Sequence, residues 1–131
     1  MMEFFVPMKE IPNTTHQQKK VTVAKNGKPV FYEPAELKAA REKLTAHLAK
    51  FVPETKFKKL VILQVKWLYP KEKHENGSYK TTRPDLDNMM KLLQDCMTDL
   101  GFWEDDRLIA GLHVEKFWSE VPGIYIKIEG A

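Results

Sequence analysis

The segment from Arg83 to Gly101 constrains the fold more than any other part of this 131-residue chain. Pro84 disfavours helix in the residue before it and pushes Arg83 toward extended geometry. From Asn88 onward Met89, Met90, Leu92, Leu93, Cys96, Met97 and Leu100 recur at helical spacing, and Gly101 supplies the stop. A helix over 88–100 must then lay one apolar face on a core. Asp85 and Asp87, read as an extended approach to that helix, share a side, with Leu86 turned inward. Both carboxylates then stand at a helix N-terminus, where backbone N–H groups favour anions, whether carboxylates or a substrate phosphate. Lys91 lies one turn beyond Asp87 on the same face.

The apolar pair Phe102-Trp103 is expected to anchor the following loop, and Glu104-Asp105-Asp106 leads into a strand at roughly 107–118. If that strand packs beside the helix start, one of these carboxylates completes an all-oxygen set with Asp85 and Asp87, which hard Mg²⁺ prefers. Capping alone would also select Asp-x-Asp-Asn before a helix, and Asp87 with Lys91 would serve as an ordinary surface ion pair. Local charge favours the metal reading. Residues 85–106 hold seven acids and one base, a net of −6 inside a chain of net +3. Such repulsion costs stability unless a cation relieves it.

The run Asp85-Leu86-Asp87-Asn88, Lys91, Asp95, Gly101-Phe102-Trp103 and Asp105-Asp106 resembles, in order and spacing, the signature of the RusA family of Holliday junction resolvases. The resemblance spans roughly residues 83–118, ending in Val114-Glu115-Lys116. It implies metal-binding carboxylates at Asp85, Asp87 and Asp106, a catalytic lysine at Lys91 and a supporting acid at Asp105. It also implies a small α+β fold, a homodimer, dependence on Mg²⁺ with Mn²⁺ as substitute, and paired nicking of four-way DNA junctions. Toward the N-terminus the likeness is loose, carried only by Ile11-Pro12-Asn13-Thr14-Thr15-His16.

Charge distribution fits a nucleic-acid substrate. Residues 56–83 carry eight bases and two acids, a net of +6, and a second basic stretch holds Lys19, Lys20, Lys25 and Lys28. Basic segments flanking an acidic pocket would hold a phosphate backbone while the scissile phosphate approaches the carboxylates through cations. Lys71, Lys73, Lys80 and Arg83, in a loop running straight into the aspartates, are the expected DNA contacts, with Lys19 and Lys20 beside them. Most aromatic residues here fit a core or an interface. Tyr79, within the basic loop, is the exception expected to stack on a base.

Residues 1–131 are expected to form one domain, a mixed sheet packed against two main helices. Phe4-Phe5-Val6 reads as a strand, residues 9–19 as a polar loop, and Asn26-Gly27 as the turn of a hairpin joining Val21-Thr22-Val23 to Pro29-Val30-Phe31-Tyr32. Pro34 opens a helix whose face is Leu37, Ala40, Leu44 and Leu48. Residues 60–69 form a central strand ended by Pro70, and 123–129 the last strand. Cys96, the single cysteine, reads as a buried structural thiol, and the four scattered histidines offer no zinc spacing. No apolar run reaches the roughly 20 residues that span a bilayer. A protein acting in the cytoplasm, cellular or phage-borne, and using no organic cofactor is expected. Flap, fork or RNA cleavage by the same chemistry, and a non-catalytic DNA-binding accessory of recombination, are the alternative functions.

Overall fold

The computed structural model describes residues 1–13, 20–23, 25 and 27–131, with residues 20–23 and 29–32 described as backbone only. Four strands form one mixed sheet in the order β1-β6-β4-β5: β1 is Met2–Pro7, β4 Val61–Pro70, β5 Ile109–Ser119 and β6 Gly123–Gly130. Two helices accompany it, α1 over Ala35–Leu48 and α2 over Leu86–Leu100. The α+β expectation of a mixed sheet with two main helices therefore holds. The pairing of β2, Lys20–Val23, with β3, Pro29–Tyr32, is the hairpin expected from Asn26-Gly27. Position 26 itself and residues 14–19, with Lys19, lie outside the described residues.

Strand β4 is central because every second residue is apolar and inward-facing. Val61, Leu63, Val65 and Trp67 are fully buried and Tyr69 nearly so, while the residues between them are half-buried or exposed. On α1 the predicted stripe Leu37, Ala40, Leu44 and Leu48 is the buried face. On α2 it is Met89, Met90, Leu92, Leu93, Cys96 and Met97, so Cys96 is the structural thiol expected. Phe102 and Trp103 are fully buried and lock the turn after α2: the Trp103 indole N–H donates to the Thr98 hydroxyl at 2.7 Å, and the Phe57 backbone N–H to the Phe102 carbonyl at 2.9 Å.

Topology positions the site. Strands β4 and β5 are parallel neighbours with Val61 opposite Ile109, so the chain must cross back between them, and α2 makes the crossover. The start of α2 consequently follows the carboxyl end of β4 through the basic loop. That loop is pinned to the sheet edge: the Lys80 N–H donates to the Lys116 carbonyl at 3.0 Å, and Tyr79 pairs with Phe117 across an antiparallel bridge.

Two boundaries beside the acidic residues differ from the sequence reading, besides β1, which is longer than expected, and β4, which runs through Pro70. Helix α2 begins at Leu86, with Asp85 as its cap at φ −74° and ψ 139°. Asp87 is thus in the first helical turn, so the two aspartates are related by a cap and a turn rather than by extended alternation. The cause is Leu86, which is partly buried against the core and joins Met89, Met90 and Leu93 at i+3, i+4 and i+7. The second change concerns Asp106. It opens a 3₁₀ turn over Asp106–Leu108, and β5 starts only at Ile109.

Candidate active site

The Asp85 carboxylate makes no capping hydrogen bond, although the residue occupies the cap position of α2. The helix uses only its main chain there, the Met89 N–H donating to the Asp85 carbonyl at 3.2 Å. Asp87 and Lys91 form no ion pair within 4.0 Å, and Asp85, Asp87 and Lys91 are all exposed. Capping and surface pairing, the two structural uses open to these residues, are therefore not made among the described residues, and both carboxylates are exposed to an external partner.

Asp105 does cap. Its side chain accepts the Arg107 N–H at 2.9 Å, fixing the 3₁₀ turn that presents Asp106. That backbone donor, with the Arg107 charge, holds the Asp105 carboxyl below its ordinary range. Asp106 enters beside α2, where its charge acts on Asp95. Asp87, Lys91 and Asp95 stand at i, i+4 and i+8, so Lys91 lies about 6 Å along the helix from each acid. Burial pushes the Asp95 carboxyl above its usual value, the Arg41 guanidinium and Lys91 draw it back, and Asp106 and Asp99 raise it further. Asp95 had no assigned role in the sequence reading beyond its place in the motif. Its spacing from Lys91 was the signal.

Among the described residues no group of three or more His, Cys, Asp or Glu side chains is gathered closely enough to hold a metal ion by itself. Asp106 does not join Asp85 and Asp87 in a preformed cage. The donor chemistry still fits a hard cation. Exposed carboxylates with oxygen donors only suit Mg²⁺, which commonly takes one or two carboxylates and fills its remaining positions with water and substrate phosphate.

A residue that sequence reasoning passed over holds this region in place. The Lys116 ammonium, on β5, donates to the carbonyl oxygens of Thr82 and, at 2.7 Å, of Pro84, the residues leading into Asp85. The Arg83–Pro84 peptide bond between them is cis, and Pro84 is buried. The motif had marked position 116 only as the end of the run.

The expected DNA-contacting residues divide. Lys73, Arg83 and Tyr79 are exposed and Lys71 is half-buried. Tyr79 stacks one ring face on Phe117 at 4.8 Å and its hydroxyl donates to Glu115 at 2.6 Å, which fixes the ring's direction. The surface position expected of Lys80 is corrected: the residue is 8% exposed, folded over the rings of Tyr69 and Trp118, because its aliphatic stem follows the apolar end of β4. Lys19 and the side chain of Lys20 lie outside the described residues.

The family model described as Endodeoxyribonuclease RusA matches residues 10–129. The chain belongs to the RusA family. It is 40% identical to a RusA-family protein named crossover junction endodeoxyribonuclease rusA, from Lactococcus phage r1t, over 96% of this chain and 95% of that one. It is 32% identical to the uncharacterized protein YqaN of Bacillus subtilis (strain 168), over 79% of this chain and 81% of the relative. The RusA-family match covers the free aspartates, Lys91, the Asp105–Asp106 turn and Lys116 together.

Proposed function

We propose that this chain is a metal-dependent, structure-selective endodeoxyribonuclease that resolves Holliday junctions by paired phosphodiester hydrolysis, in DNA recombination and repair. One observation carries the reading: among the described residues Asp85 and Asp87 make neither a capping bond nor an ion pair at the start of α2, with Lys91 one turn on, in a RusA-family chain whose phage relative, matched over 95% of its length, is named a crossover junction endodeoxyribonuclease. The 131 residues act as one endonuclease domain.

Asp85, Asp87 and Asp106 are the residues that would hold Mg²⁺, or Mn²⁺ in its place, with Asp105 in support. Such a cation, when bound, supplies Lewis acidity, lowering the pKa of a coordinated water and offsetting charge on the phosphate oxygens. The chain's own residues orient and stabilise. Lys91 offers a point charge to the negative charge that develops on the phosphorus-bound oxygens, and as an ammonium it needs no bidentate geometry. It stands one turn from both Asp87 and Asp95 on α2. Asp105 holds the turn that carries Asp106, and Lys116 holds the backbone that carries Asp85.

A four-way junction presents two equivalent strands, and a C2 homodimer presents two copies of this site, which accounts for paired nicking. Lys71, Lys73, Arg83 and Tyr79 face the arms beside the cut, with Lys19 and Lys20 supplying further charge. Among the described residues no helix is long and apolar enough to cross a membrane. A junction substrate and a phage relative favour action in the cytoplasm, whether the gene is cellular or phage-borne. The test is cleavage of an end-labelled synthetic four-way junction with and without Mg²⁺. Symmetric nicks that need the cation and are absent on a linear duplex of the same sequence support the reading; equal cutting of flaps, forks or RNA would replace it with a broader nuclease, and no cutting with intact binding would leave a DNA-binding accessory.

A further inference from the structure

Lys80 is the one charged side chain buried among the described residues. Its ammonium lies 4.3 Å from the centre of the Trp118 ring and 5.1 Å from that of Tyr69, and it donates to the Thr82 hydroxyl. No described carboxylate comes within 4.0 Å of it. Ring faces and one hydroxyl are a thin replacement for the water that a lysine gives up on burial. The charge is strained further by the nearby Lys116 ammonium and relieved only in part by Glu72.

Lys80, Tyr69 and Trp118 line a cavity of about 350 Å³, shared with Lys9, Asn13 and Glu72. A nucleobase has no platform to stack on there. The His74 ring lies parallel to Trp118 at 3.9 Å and 1°, so Lys80, at 4.3 Å, takes the opposite face, and Tyr69 is only 6% exposed. What the cavity offers instead is positive charge at depth. Its two carboxylates, Glu72 and Glu10, are on exposed residues where water screens them, as it does Lys9; Lys80 is in a lower dielectric and is reinforced by Lys116.

The cavity is also tied to the aspartates. Thr82 accepts Lys80 on its hydroxyl and Lys116 on its carbonyl, and Lys116 reaches on to Pro84, beside Asp85. Five residues from Lys80 to Asp85 span at most roughly 18 Å, about five nucleotides at the rise of one DNA strand.

We propose that this cavity is a phosphate subsite, in which a backbone phosphate of the DNA, a few nucleotides from the cut bond, seats on Lys80 with Lys9 at the rim. The proposal rests on the junction-nuclease reading above, and its test separates the two. Junctions carrying one neutral methylphosphonate, scanned over the five nucleotides on each side of the cut, are bound without divalent cation to the wild-type protein, Lys80→Met and Lys9→Met. One position should weaken wild-type binding about tenfold, the worth of a charge-assisted contact, and weaken Lys80→Met no further. Lys9→Met, changed at an exposed rim residue, should reduce the effect at that same position. An abasic nucleotide there should leave affinity unchanged. The slope of log affinity against log salt should flatten by about 1 in Lys80→Met.

Methylphosphonate effects that are the same in all three proteins would overturn the proposal, as would Lys80→Met melting lower with its junction affinity unchanged. A loss caused by the abasic nucleotide alone would make the cavity a base pocket instead. If no junction is bound at all, the nuclease reading fails by itself, and the cavity is decided with inorganic phosphate: a saturable rise in Tm in wild type that Lys80→Met lacks supports an anion site, and equal responses overturn it.

Discussion

The Lys116 ammonium donates to the Pro84 carbonyl oxygen at 2.7 Å, tying a residue of β5 to the backbone that delivers Asp85 to the start of α2. A second bond from the same nitrogen to the Thr82 carbonyl makes it a clamp across the basic loop. Misplacing reacting groups by an ångström costs on the order of 10²-fold in rate, while one partly exposed hydrogen bond contributes only about 1 kcal/mol to folding. Lys116→Met should therefore lose one to two orders of magnitude in kcat (roughly 10- to 100-fold) with near-normal junction affinity in the absence of cation, and Lys116→Arg should recover part of the loss. A merely structural lysine would lower Tm and leave kcat of the folded fraction unchanged.

Lys91→Ala should slow cleavage roughly 10²-fold or more without weakening junction binding by a comparable factor, as expected for loss of a preorganised donor acting on developing charge. Single-turnover rates on a labelled junction give the answer. Because Lys91 is exposed and makes no ion pair within 4.0 Å, the variant should melt within a degree or so of wild type.

Burial, then Lys116, holds the Lys80 amine below the ordinary lysine value of 10.5. Between its lowered folded value and 10.5 the unfolded chain binds more protons than the folded one, so wild-type stability should gain a rising contribution as pH climbs through that window. Below the window the charged lysine is a fixed cost. Lys80→Met should consequently be at least as stable as wild type at neutral pH, and its advantage should shrink as pH rises toward 10.5. Denaturant midpoints of the two proteins measured across the alkaline range test this; an advantage that grows with pH would show that the folded protein favours the charged form.

Junction affinity should fall steeply with salt. Neutralising Lys71, Lys73 and Arg83 together should flatten the slope of log affinity against log salt by about 0.9 for each phosphate that the loop no longer neutralises. An unchanged slope would move the DNA away from the 71–83 loop.

Much of the fold was legible because periodicity and burial agree. The stripe Leu37, Ala40, Leu44 and Leu48, the alternation along β4, and the pairing of Val21-Thr22-Val23 with Pro29-Val30-Phe31-Tyr32 all follow from residue type, and all recur in the structure. The start of α2 was misread by two residues because the apolar character of Leu86 was assigned to an extended inward turn, when the same residue also completes the helical stripe. At the site, the residue types of the acids were readable but their disposition was not. Whether Asp85 caps its helix, or Asp106 joins the pair at the start of α2, depends on side-chain direction and on a 3₁₀ turn set by Asp105, which no local pattern announces. Lys80 and Lys116 were hidden for a related reason. Each is one lysine among many until the sheet brings the loop against β5.

The central claim is that the free aspartates of α2 make this chain a cation-dependent junction nuclease, and cleavage of a four-way junction by the Asp87→Asn protein tests it most directly. Asp87→Asn, with Asp85→Asn and Asp106→Asn beside it and a milder Asp105→Asn, removes an oxygen charge from the proposed cation site and a negative charge facing phosphate. The expected result is that Asp87→Asn no longer nicks the junction in Mg²⁺, while it binds the same junction as tightly as wild type or more so. Full cleavage by the folded Asp87→Asn protein in Mg²⁺ would contradict the account.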